Sequence, residues 1–292
     1  AMHIGRLCPD AANPHGYWRT ALTMTLHGRA CALGLTLALA TAVPAAATAP
    51  TPSDTVHHVE GKAYATSDGH LLYLESHWLY DDAGNPSRLV LYRCPDGKPF
   101  ARKLIHDDGS AQAPDFELDD ARTGYREGVR RMDGKRIVFV RDNAHASERT
   151  AVLNTTPMPV IDAGFDAYIR DHWNQLGKDG SDTIPFLIPS RLGTLNFSVK
   201  RLADTQVNGH AARQYRLSLA NLIGFALPHI DVAYDASTRE LLRFVGLANI
   251  RGSNGKNVRA KILFDPAQDK DVSRADLDAA AKAPLNGQCR IP

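Results

Sequence analysis

The sequence lacks the short signatures that announce a catalytic centre. It holds no G-x-S-x-G elbow, no glycine-rich phosphate loop, no H-E-x-x-H pair and no C-x-x-C. No catalytic residue, cofactor or metal site is therefore assigned. An excess of one charge is also missing: 34 basic against 32 acidic residues leave a formal net charge of +2. A nucleic-acid partner calls for a basic excess or stripe, so none is expected. Repeats of fixed period and low-complexity tracts are absent. Cysteine is scarce, with four in the chain. Long apolar runs are absent too, apart from Ala30–Val43, which is shorter than the roughly 20 residues a membrane-crossing helix needs.

That single apolar run carries the clearest information. Residues 24–47 (MTLHGRACALGLTLALATAVPAAA) place His27 and Arg29 before the run and end it on Ala45-Ala46-Ala47. A short positive region, an apolar core and small residues at the close read as a secretory signal peptide, cleaved after Ala47. Residues 1–23, with Pro9, Asp10 and Pro14, suit neither an export signal nor a domain. They are read as a non-native N-terminal extension before Met24, which leaves 48–292 as one exported β-rich domain in the periplasm. A sub-division near 154–160 (NTTPMPV) is the other reading of that segment. Within 48–292 the two charge signs balance, no run spans a membrane, and the chain is expected to be soluble.

Export changes what the cysteines mean. Cys8 and Cys31 precede the cleavage point, and Cys94 and Cys289 follow it. An even pair in an oxidising compartment favours a disulfide. A loop of ~200 residues gives a ceiling of about 5 kcal/mol in the chain-entropy model. Two free thiols are the alternative.

Period-two alternation in short runs, separated by turn dipeptides, dominates the rest of the chain. HLLYLESHWLY places Leu72, Leu74, Trp78 and Tyr80 on one face; RIVFVRD follows a tight Asp133-Gly134 turn; TLNFSVKRL, AARQYRLSLAN, HIDVAYDA and NVRAKILFDP alternate in the same way. One segment departs from this rhythm. Phe165, Ile169, Trp173 and Leu176 recur at helical spacing, which predicts a helix over 162–176 with Asp162 as N-cap and Gly177 as a left-handed terminator. A short C-terminal helix is expected from Ser273, with Asp276 completing a capping box. The fold class is mainly β (α+β): a large curved antiparallel sheet or unclosed β-barrel of about a dozen strands, packed on one amphipathic helix.

Several weaker groupings could carry chemistry. Glu75 and His77 are two apart on a strand and so share a face, where a carboxylate can orient an imidazole; a polar strand face explains them equally. The acidic stretch Asp107–Asp120 is rich in oxygen ligands but does not follow the order of an EF-hand loop. Arg122, Arg126, Arg130, Arg131 and Arg136 concentrate positive charge on a hairpin that could meet anionic lipid or an envelope protein. Basic residues also protect an edge from aggregation.

The strand, Tyr-Asp turn, strand, Gly-Asn-Gly loop and strand of HIDVAYDASTRELLRFVGLANIRGSNGKNVRAKILF (229–264) resemble the bacterial lipoprotein-carrier superfamily (LolA/LolB type). LYRCPDGKPFARK and VIDAGFDAYIRDHW resemble exported β-rich proteins of Gram-negative bacteria without an assigned activity. The first resemblance implies an apolar cavity for a lipid-like ligand, with Leu72, Leu74, Trp78, Phe165, Ile169, Trp173, Phe197 and Tyr215 as lining candidates. The function expected is a periplasmic binding or carrier protein for a hydrophobic ligand. An envelope-assembly module using the basic hairpin is the alternative, and a hydrolase using Glu75 and His77 ranks third.

Overall fold

The computed structural model describes residues 55–107, 110–177, 180–220 and 229–292. The signal-peptide and N-terminal extension assignments lie outside these residues. The first eight strands are β1 (Thr55–Ala65), β2 (Leu71–Asp82), β3 (Asn85–Arg93), β4 (Pro99–His106), β5 (Asp115–Asp120), β6 (Tyr125–Met132), β7 (Lys135–Arg141) and β8 (Arg149–Val152). Helix α1 (Gly164–Asp171) follows. The chain continues through β9 (Ser181–Ile188), β10 (Gly193–Arg201), β11 (Thr205–Val207), β12 (His210–Leu219), β13 (Ile230–Asp235), β14 (Leu241–Arg251), β15 (Asn257–Phe264) and β16 (Lys270–Ser273), and helix α2 (Arg274–Lys282) comes last.

Among the described residues these strands form one antiparallel sheet of sixteen, which does not close. The expected dozen strands is thus an undercount, since short pairings such as β8, β11 and β16 carry too few residues to show alternation. Each half is a meander. β1 to β8 lie side by side in sequence order, and the later strands return from β9 toward β15, which pairs with β1. Gly61–Ala65 run against Phe264–Ala260 in that seam. β8 and β9 are the two ends of the main strand order. A 3-10 turn at Pro189–Arg191, just after β9, lies against β6 and β7, so the sheet curls until its ends approach without a shared ladder. The Asp133-Gly134 turn has both residues at positive φ, 50° and 73°, which suits the twist of the β6–β7 hairpin it joins.

The curl makes two faces with different partners. The inner face packs Val90, Tyr92, Phe100, Leu118 and Val140 into one large cluster with Ile262 and Phe264. The outer face of β3 turns Leu89 and Leu91 toward α2, where Leu277 and Ala280 cover them. Two helices therefore serve one sheet, one on each side. α2 begins at the expected capping box: the Ser273 side chain accepts from the Asp276 backbone and the Asp276 carboxylate accepts in return. α1 is shorter than its apolar stripe, ending at Asp171, and its N-cap is Ala163 without a side-chain hydrogen bond. Gly177 is absent from the positive-φ residues, so it does not terminate the helix in the left-handed region. Trp173 and Leu176 lie beyond the helix in turns, yet both are buried. At the other end Gly164 packs so closely that a Cβ would stand 2.1 Å from the Gln112 carbonyl oxygen.

Candidate functional site

Strand register sets two polar rows across the inner face. One runs His77–Val90–Lys103–Leu118–Glu127 over β2 to β6. Beside it runs Glu75–Tyr92–Ala101–Asp120–Tyr125. His77 Nε2 lies 3.0 Å from Glu75 Oε2, so the pair the alternation predicts does meet. Burial lowers the His77 pKa, and the bond to Glu75 works against that shift. Ser76, between them, turns to the outer face and donates to Glu60, so its hydroxyl points away from the dyad.

Asp162 drops into this polar region from the turn before α1. Its backbone sits at φ 45°, and its carboxylate accepts from Lys103 Nζ at 2.8 Å and from Asn249 Nδ2 at 2.5 Å. Burial alone would raise its pKa; the Lys103 ammonium and the two hydrogen bonds outweigh that and hold it below the ordinary value. The residue read as an N-cap is thus a tie between β4, β14 and the entry to α1. Nearby, Tyr125 donates to Glu127 at 2.5 Å while Arg251 stacks 3.6 Å above the Tyr125 ring. Burial pushes the Glu127 carboxyl up to about 7.

α1 lies on the inner face of the second meander. Phe165, Tyr168 and Ile169 pack with Trp173 and Leu176 against Ile184, Val199, Tyr215 and Val232. Polar contacts fix its position: Tyr234 donates to Asp166 at 2.8 Å, Tyr168 to Asp182 at 2.6 Å, and Arg213 to the Trp173 carbonyl at 3.1 Å. Between α1 and the first meander a cleft of about 120 Å³ remains. Val59, Leu79, Leu241 and Phe264 give it an apolar lining, while His77, Arg88, Asp166 and Arg170 supply polar groups. His77 places one member of its dyad at this cleft.

The eight lining candidates separate into three environments. Phe165, Ile169, Trp173, Phe197 and Tyr215 come together around α1. Leu72 joins the main inner cluster. Trp78 packs with the α2 cluster on the opposite face, its ring 4.8 Å from His58. Leu74 also lies off the inner face, opposite Lys62 in the β1–β2 ladder. Equal parity within one strand placed Trp78 and Leu74 together; what it could not reveal is that α2 makes the outer face apolar as well.

The arginine-rich hairpin and the acidic stretch answer one another across β5, β6 and β7. Arg122 binds Asp120 at 2.5 Å, Arg126 binds Glu117, and Arg130 binds Glu148. Arg131 and Arg136 share Asp115, at 3.5 Å and 2.5 Å. The guanidiniums proposed for an anionic partner are held by the protein's own carboxylates. The same pairing occupies oxygens that a hard cation would need. Cys94 and Cys289 form a disulfide with Cα atoms 5.6 Å apart.

No family model matches the chain, and no curated protein matches it. Two solved structures are similar at low identity. One is a β-barrel-like protein of domain of unknown function DUF1849 from Brucella abortus, 9% identical, with a TM-score of 0.42 over 72% of this chain and 97% of that one. The other is a "putative outer membrane lipoprotein-sorting protein domain" from Vibrio parahaemolyticus, 11% identical, with a TM-score of 0.26 over 78% of this chain and 90% of that one.

Proposed function

We propose that the protein is an exported binding or carrier protein for a hydrophobic or amphipathic ligand, received at the cleft between α1 and the inner face of β1, β2 and β15. The observation that carries this reading is the composition of that cleft: an apolar lining from four strands, Val59, Leu79, Leu241 and Phe264, beside a polar set in which Arg88 and Arg170 stand with Asp166, Glu240 and Asp269. Binding sites of this type combine apolar surface with a few placed polar groups. A cleft of about 120 Å³ takes one end of a chain or a ring, so the ligand's remainder stays at the mouth. The signal-like segment at 24–47 and the Cys94–Cys289 bond support an oxidising, extracytoplasmic location.

The test is displacement of a fluorescent fatty acid from delipidated protein, with native mass spectrometry of protein purified from the periplasm. Leu79→Trp fills the cleft and should weaken binding about tenfold or more, equivalent to ~1.4 kcal/mol. Binding at wild-type affinity in that variant would reject the cleft. The partner-binding hairpin has less support, because its five arginines are already engaged.

A further inference from the structure

The outer face at β14, β15 and β1 presents cations of a different kind from those on the arginine hairpin. Lys62, Lys256, Arg259 and Lys261 are exposed. Among the described residues no carboxylate pairs with any of them; Arg259 reaches only the His229 carbonyl, at 3.5 Å, and Lys261 lies 5.9 Å from the Tyr64 ring. Their cross-strand neighbours are apolar. Lys62 stands between Leu263 and Leu74, Lys261 between Tyr64 and Val245, and Arg259 opposite Leu247. Leu247 is itself 45% exposed.

Two neighbouring stretches of the outer face are covered. α2 lies over Val56, Leu89 and Leu91, and β11 brings Val207 onto Ala212, Ala233 and Leu242. The basic and apolar chequerboard lies between these two covers. At its end, between the Thr66–His70 turn and the β14–β15 hairpin, opens a cleft of about 220 Å³. Thr66, Ser67, Lys256 and Arg259 line it together with Ala65, Leu72 and Val258, while Asp68 holds the His70 ring at 2.6 Å. Two cations without a carboxylate partner among the described residues, Lys256 and Arg259, thus stand at one edge of the patch.

We propose that this face docks on an anionic phospholipid surface. Long basic side chains reach headgroup phosphates while their stems and the intervening Leu247, Tyr64 and Val245 rest at the acyl boundary. The inference is independent of the α1 cleft, which opens on the other face of the sheet.

Co-sedimentation of the purified protein with vesicles of phosphatidylglycerol and phosphatidylcholine in equal parts, against phosphatidylcholine alone, tests it. Binding is expected to the anionic vesicles only, and to weaken as salt is raised. Lys62→Gln, Lys261→Gln and Arg259→Gln should each lower partitioning about fivefold. Arg126→Gln with Arg130→Gln, on the self-paired hairpin, should leave it unchanged. A Leu247→Trp protein supplies a reading that needs no loss of binding: its emission should shift to the blue with anionic vesicles and stay fixed with neutral ones. Equal binding to both vesicle types, retention of full binding by the triple glutamine variant, or unmoved emission would each overturn the proposal.

Discussion

Glu127 sits where a carboxyl gains from keeping its proton. Its folded pKa, about 7, exceeds the ordinary value of 4.5 because burial penalises the anion. The folded state therefore holds the proton more tightly than the unfolded chain does. Stability from this group is fully present below pH 4.5 and is lost as pH rises through 7. Glu127→Gln escapes the loss, so its stability relative to wild type should climb across that window and level above it, by something on the order of 3 kcal/mol. Urea midpoints measured at several pH values would show this; parallel profiles would contradict it. Asp162 and Lys103 call for the opposite comparison, because both are charged and paired. Asp162→Ala strands a buried ammonium and should cost about 3–5 kcal/mol, while Asp162→Ala with Lys103→Met should recover much of that. Denaturant unfolding of the single and double variants separates a broken pair from a lost contact. Neither tie is legible in the sequence: 59 residues separate Lys103 from Asp162, and an aspartate before an apolar stripe has the appearance of an N-cap.

At the scale of elements, the strands were the more readable part. Period-two alternation located most hairpins and correctly put Glu75 and His77 on one face, where they hydrogen-bond. The helix was only half readable. Its stripe foretold burial of Trp173 and Leu176, but hydrophobic spacing continues into turns that still face the same core, so it overstates the length of α1. α2 shows the converse, since its cap is local and its partner is not. Ser273→Ala removes the side chain that accepts from Asp276 and should cost ~1 kcal/mol. Thermal or urea unfolding would measure it, and a neutral substitution would mean α2 is held by Leu277 and Ala280 alone.

Across the whole molecule, the Cys94–Cys289 bond fixes a tail that also contributes to the core. Gly287 N–H donates to the Pro99 carbonyl, Ser253 N–H to the Ile291 carbonyl, and Ile291 is buried in the main inner cluster. Cys289→Ser should therefore destabilise by about 2–5 kcal/mol. It should also make the segment after Ala283 the first site of limited proteolysis, which mass spectrometry of the fragments would establish. A tail that resists cleavage in that variant would show that Ile291 and the backbone bonds suffice.

The seam between β1 and β15 has a consequence for how the protein comes into being. Either meander can form from neighbours close in sequence, but the ladder that unites them waits for residues about two hundred positions apart. A chain that emerges N-terminus first would expose the bonding edge of β1 for as long as β15 is still to arrive. An unpaired edge of this kind recruits other strands, including those of sister molecules. Assembly is then a race between one distant partner within the molecule and many nearby partners outside it, and it is in the time before that seam closes that a holding chaperone would matter most.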